Sequence, residues 1–186
     1  MDIRNLSNNF LVAMPGMQDP HFVNTLIYIC EHGKNGALGI IISRPLDMTL
    51  LNLFEKIEME SPDSPLKNVP VYFGGPMQIE RGFVLHRPLG HWQNTLKITE
   101  RIGLTSSRDI LSAIGNGVNA SDLLVALGYA GWAQGQLEQE LMQNAWLPLP
   151  ADEKIIFDTA PENKRFVALS QMGIDFNQLS DSAGHA

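Results

Sequence analysis

Three stretches of the chain carry residue types that could do chemistry. The first is Tyr28 to Gly36, "YICEHGKNG", which holds the only cysteine beside a glutamate and a histidine. Cys30 with His32 could form a nucleophile and its base, or two soft metal ligands. A nucleophilic cysteine needs a lowered pKa and access, and a zinc site needs about four ligands. On a regular strand Cys30 and His32 share one face and Glu31 points to the other. Free cysteine is commonly just buried. The preferred reading is therefore a half-buried Cys30 ending a central strand, with His32 at the turn of a hairpin.

The second stretch joins Arg44-Pro45 to "GGPMQIERGFVLHR" (74–87). Gly74 and Gly75 after a strand could let backbone approach an anion, and Arg44, Arg81, His86 and Arg87 could supply positive charge. Neither GxxxxGK[ST] nor GxGxxG is present, so no nucleotide cradle is predicted. A tight turn with ion-paired arginines explains the same residues. The third stretch is "GYAGWAQGQLEQE" (128–140). Tyr129 and Trp132 could line a pocket and Glu138 and Glu140 could act as an acid and base pair, but the helix puts 138 and 140 on different faces, which disfavours that chemistry. Glycines that permit close packing and aromatics that fill a core account for the rest. G-x-S-x-G, H-E-x-x-H and C-x-x-C are also absent. The expectation is no catalytic residue, no metal site and no cofactor. The candidate ligand-binding set is Cys30, His32, Arg44, Gly74, Gly75, Arg81 and His86. A pocket bounded by Cys30, His32, Arg44, Arg81 and His86 is the alternative in which the protein is an enzyme or ligand sensor.

The elements that must position these residues follow from periodicity. "NFLVAM" (9–14), "FVNTLIYIC" (22–30) and "ALGIIIS" (37–43) read as strands, the last two joined as a hairpin and apolar enough for burial on both faces. Thr49 to Ile57 reads as an amphipathic helix. The proline-rich "MESPDSPLKNVP" (59–70) reads as a surface loop within one domain. Short strands follow at 71–75, 82–87 and 95–100. "SSRDILSAIGNG" (106–117) reads as a helix capped by Ser106 or Ser107. "ASDLLVALGYAGW" (120–132) reads as a buried strand, and "AQGQLEQELMQN" (133–144) as a helix with Leu137, Leu141 and Met142 inward and Glu138 outward. "AWLPLP" and "KIIFD" read as strands or extended segments. "NKRFVALSQMG" (163–173) reads as a helix burying Phe166, Leu169 and Met172, before a tail at 176–186 expected to fray.

Strands in runs, without strict βαβα alternation, predict an α+β fold. The expectation is one domain over 1–175, with a mixed, mostly antiparallel sheet and about four flanking helices. The 186 residues suffice for one substantial core. A net charge of −7 disfavours a broad electrostatic grip on nucleic acid, although a small basic patch remains compatible with it. A single cysteine, the absence of a leader pattern and the absence of a stretch of roughly 20 apolar residues predict a cytoplasmic protein without a membrane.

In this order and spacing, "FLVAMPGMQDPHF", "YICEHGKNGALGIIISRP", "VYFGGPMQIERGFVLHR" and "LLVALGYAGWAQGQLEQELMQNAWL" resemble the YqgE/AlgH family of bacterial proteins, from about Leu6 to Asp175. One departure is Ser43, where many relatives carry asparagine before the Arg-Pro pair. The resemblance implies a compact α+β fold and carries over no catalytic residues. One branch is described as a regulator of alginate production, which implies a link to transcription. The acidic composition and the lack of a helix-turn-helix argue against direct DNA contact. An unidentified protein partner or small ligand is the expected mode of action.

Overall fold

The computed structural model describes residues 4–60, 68–117, 122–175 and 177–179. The centre of the predicted loop at 59–70, the first two residues of the predicted strand at 120–132 and most of the predicted tail lie outside them. The chain runs β1 (Asn9–Ala13), β2 (Leu26–Gly33), β3 (Gly36–Ile41), β4 (Pro45–Thr49), α1 (Leu50–Lys56), β5 (Pro70–Phe73), β6 (Met77–His86), β7 (Thr95–Lys97) and β8 (Gly103–Thr105). It continues with α2 (Arg108–Gly115), β9 (Leu123–Trp132), α3 (Gln136–Met142), β10 (Trp146–Pro150), α4 (Glu153–Phe157) and α5 (Pro161–Gln171). The strands form one curled sheet in the order β10-β1-β2-β3-β9-β6-β8-β7, with β4 and β5 attached beside β9. Every pairing is antiparallel except β5 with β9. This is the α+β fold with a mixed, mostly antiparallel sheet that the run of strands predicts.

Both faces of the sheet are covered, which explains why its central strands read as unbroken apolar runs. Phe10, Leu26, Tyr28, Ile40, Leu85 and Ala126 form the main core with Ile155 and Ile156 of α4 and Leu169 of α5. The alternate residues Leu11, Ile27, Ile29 and Ile41 face the other way and pack with Trp132, Trp146 and Leu137 of α3. Val84 and Val125 likewise meet α1 and α2 through Leu50, Phe54, Ile110 and Ile114. β9 ties the halves together. Its first half pairs with β6 and β5, and its last residues pair with β3.

Local signals set most helix boundaries. Thr49 and Asn52 form a reciprocal capping box, which starts α1 where the sequence predicts it. The start of α2 departs from expectation, because neither serine caps it. Ser107 Oγ instead donates to Asp109 Oδ1, which also accepts from Ile110 N at 2.9 Å. Ser106 Oγ is taken by Arg81 at 3.0 Å. "KIIFD" is helical, not extended. Asp152 accepts from Lys154 N at 2.9 Å and begins a turn that buries Ile155 and Ile156.

Two helix faces differ from their prediction. In α5 Leu169 is buried, but Phe166 is 69% exposed and Met172 51% exposed; Lys164 lies inward in their place. In α3 Met142 is exposed, while the predicted outward Glu138 turns toward β2. Helices of seven and eleven residues present only two to three turns, so one misassigned position rotates the whole reading. β4 and β8 were not legible as strands. β4 opens on a proline and β8 has three residues, so neither shows a period.

Candidate functional site

The region singled out by Cys30 and His32 is built around a β-bulge. In the β2–β3 ladder Ile29 pairs with Gly39, but Glu31 pairs with Leu38, so one residue of β2 is extra at Cys30. The extra residue inverts the alternation beyond it. Glu31 lies opposite Leu38 on the main-core face, which is also the face of Cys30. His32 lies opposite Ala37 on the α3 face. The expected sharing of a face by Cys30 and His32 is therefore corrected: the bulge separates them.

Cys30 is buried, its Sγ donates to Tyr28 O at 3.6 Å, and burial pushes the thiol pKa far up. It sits inside the core cluster, where no thiolate is favoured. His32, expected at the turn, is buried within β2. Its Nδ1 accepts from Leu6 N at 2.9 Å, and its Nε2 lies 2.7 Å from Glu138 Oε1. A backbone N–H only donates, so the ring proton sits on Nε2 and is given to the carboxylate. The hydrogen bond from His32 holds the Glu138 carboxyl below its ordinary range.

The remaining candidates serve structure at separate places. Arg44 donates from Nη1 to Pro20 O at 3.2 Å and His21 O at 2.7 Å, and from Nη2 to Val23 O at 2.8 Å. Its guanidinium also lies 5.9 Å from the centre of the Phe73 ring. It staples the turn before β2. Arg44→Ala is expected to cost about 1 to 2 kcal/mol in chemical denaturation, with Arg44→Lys recovering less than half, because one ammonium cannot reach three carbonyls. Unchanged stability in Arg44→Ala would show that the staple is idle. Ser43, the departure noted above, accepts from Leu26 N at 3.0 Å and so closes the same β2 end.

Gly74 and Gly75 do not open toward an anion. Both are buried, and a Cβ on either would overlap the backbone of β9, at Gly128 O and at Tyr129 respectively. They are the close approach by which the chain after β5 crosses β9. Arg81 is exposed, bonded to Gln78 at 3.3 Å and Ser106 at 3.0 Å, and stacked 5.4 Å over the Phe83 ring. His86 is buried between Pro88 O, 3.0 Å from Nδ1, and Thr105 Oγ1, 2.7 Å from Nε2. Burial lowers its pKa, opposed by the bond to Pro88. The five side chains of the alternative pocket thus do not converge on one cavity.

A cleft of about 750 Å³ lies between the β2–β3 hairpin and the ends of β6 and β9. Of the candidate set only His32 lines it; Met77, Tyr129, Trp132, Lys34 and Gln136 are among the others. Met77 is 47% exposed, and Ile79 two residues on is 57% exposed. Between Met77 and Gly82 the pairing of β6 with β9 is interrupted, so the intervening residues stand off the sheet. Among the described residues no group of three or more His, Cys, Asp or Glu could hold a metal, and no helix is long and apolar enough to cross a membrane. Sequence reasoning passed over Met77 and Ile79 because it placed them in the turn between the strands at 71–75 and 82–87, whereas β6 already begins at Met77. Only the interrupted pairing exposes them.

Comparison with known proteins agrees with this fold across the whole chain. A family model described as AlgH-like matches residues 10–177. The chain is 57% identical over 186 residues to a UPF0301 protein of Dechloromonas aromatica, covering all of both chains. It is also 57% identical to a UPF0301 protein of Azoarcus, over 98% of this chain and 97% of that one. The solution structure of the AlgH protein from Pseudomonas aeruginosa superposes with a TM-score of 0.81 at 40% identity, covering 100% of this chain and 98% of that one. A crystal structure from Corynebacterium diphtheriae, at 19% identity and a TM-score of 0.70 over 94% of this chain and 91% of that one, shares the fold. With most of its length matched by the model and full-length relatives well above 30% identity, the chain belongs to the AlgH-like, UPF0301 family.

Proposed function

We propose that this protein is a non-enzymatic cytoplasmic binding protein with a transcription-related regulatory role, exerted through a protein partner that seats on the cleft beside Met77 and Ile79. The observation that carries this reading is the contrast between chemistry and surface. The Cys30 thiol and the imidazoles of His32 and His86 are buried and bonded internally, whereas the cleft lined by Tyr129 and Trp132 carries the exposed Met77 on its wall, with the exposed Ile79 two residues on. An aromatic floor with an exposed apolar rim is suited to an anchoring side chain of a partner. The regulatory part of the reading rests on the family resemblance, and the cytoplasmic part on the single cysteine.

The test is the double substitution Met77→Lys with Ile79→Lys, both on exposed positions. The variant is expected to keep the melting temperature of the wild type and to lose partner recovery in a quantitative pulldown by about tenfold or more. Neither protein should turn over generic ester, phosphate or glycosyl substrates. Equal recovery of one stoichiometric partner by both proteins would remove the cleft from the reading. A turnover that purifies with the wild type would remove the non-enzymatic part.

A further inference from the structure

His32 occupies an unusual position among the buried polar groups, because its two nitrogens join elements far apart in the chain. Nδ1 accepts from the Leu6 amide at 2.9 Å, and Nε2 donates to Glu138 of α3 at 2.7 Å. Its own backbone N–H donates to Ser7 Oγ at 3.0 Å. Leu6 in turn packs against the cluster of Trp132, Trp146 and Leu137. The next tie is Asn8, whose N–H donates to Ile29 O at 2.8 Å and whose Oδ1 accepts from Tyr28 OH at 2.8 Å. Asn9 also donates from its N–H to Leu6 O at 3.1 Å and from Nδ2 to Ser7 O at 3.2 Å, so the bond that depends on the His32 ring is the one to the Leu6 amide.

We propose that His32 is an acid-released latch on the Leu6 amide: unprotonated at Nδ1 it holds the Leu6 N–H, and a proton on Nδ1 releases it while Glu138 keeps the imidazolium in place. The geometry forces the two states apart. A proton on Nδ1 turns an acceptor into a donor facing the Leu6 N–H, and two donors at 2.9 Å cannot coexist. The released state alone offers Nδ1 to solvent and to a proton, so acid favours release by linkage.

The charges around the ring act in the same direction. From α3 it meets Glu138, which stays a carboxylate because the His32 bond holds its pKa down. From β3 it meets Ala37, and Trp132 of β9 lines the same cleft. The N-terminal segment brings Arg4 as its only charge among residues 4–8. Glu31 lies on the opposite sheet face and Lys34 in the hairpin turn. The charge nearest the ring is thus the Glu138 carboxylate. Nothing in the latch depends on what the cleft binds.

Amide exchange of Leu6, followed by NMR from pH 8 to about 5, tests this over the span in which imidazoles titrate. Protection is corrected for intrinsic exchange and compared with Ile41, whose N–H donates to Gly74 O at 2.8 Å in the sheet interior. Leu6 protection is expected to fall by up to about tenfold per pH unit on the acid limb, with Ile41 unchanged. His32→Asn, which keeps an acceptor without a titrating ring, should make Leu6 protection independent of pH, whatever its level. Glu138→Gln, which keeps an acceptor for Nε2 but removes the charge beside the ring, should displace the limb to lower pH. Leu6 protection that tracks Ile41, or an acid limb retained in His32→Asn, would overturn the latch. If His32→Asn does not fold, a Glu138→Gln profile superimposed on the wild type overturns it equally.

Discussion

Replacing Gly128 by alanine is expected to remove about 3 to 5 kcal/mol of folding free energy with a single methyl group. Gly128 sits in β9 with φ 76°, in the left-handed region that L side chains rarely adopt. A Cβ there would also overlap Gly75 O and press on Met77 O, both of them backbone atoms. Backbone cannot rotate aside as the end of a side chain can. The strand would have to shift where it changes partners from β6 and β5 to β3, so the fault reaches both halves of the sheet. Gly33→Ala is the control, since its Cβ would meet open space, and should cost less than about 1 kcal/mol. Urea denaturation at constant m-value separates the two. Costs within about 1 kcal/mol of each other would mean that the crossing of β9 by Gly74 and Gly75 is not tight.

Lys164 should make stability rise with alkaline pH. Its side chain is only 1% exposed, Nζ donates to Ile156 O at 2.9 Å, and the ammonium lies 4.8 Å over the Tyr72 ring. Burial lowers its pKa from 10.5 to about 8. Between those values the unfolded chain holds a proton that the folded chain has released, so stability increases with pH there. Below about pH 8 both states are protonated and the full penalty of burying the charge remains. The gain across the window amounts to about 3 kcal/mol.

Three other buried groups oppose this at higher pH. Tyr72 is pushed up to about 12, and Tyr28 and Cys30 are raised further by burial, so each loses stability as its unfolded counterpart ionises. The clean measurement is therefore the difference between wild type and Lys164→Met, in which those contributions cancel. Wild type is expected to gain about 3 kcal/mol on the variant between pH 8 and 10.5. A flat difference curve would show that Lys164 is hydrated in the folded protein and that α5 does not bury it.

Much of the architecture is legible from residue spacing. The apolar runs at β1, β2, β3 and β9 mark strands covered on both faces, and the clusters on either side of the sheet confirm it. Thr49 with Asn52 marks the start of α1. Errors arise where a short element lacks a full period. Asp152 makes a helix of "KIIFD": its cap starts a turn that buries both isoleucines, against their β preference. Lys164 enters the core because it finds an acceptor in α4 and a ring in β5, partners distant in sequence.

The candidate site shows the same division. The sequence alone determined the apolar strands β1, β2, β3 and β9, the hairpin, the family resemblance and the residue types at the hairpin end, because local periodicity and turn chemistry act over a few residues. The bulge at Cys30, the bond from His32 to Glu138 across 106 positions and the exposure of Met77 and Ile79 were decided only by tertiary structure. An extra residue is defined only against a partner strand. One such residue moved Cys30 and His32 to opposite faces, and no pattern within β2 itself records that the partner is one residue short.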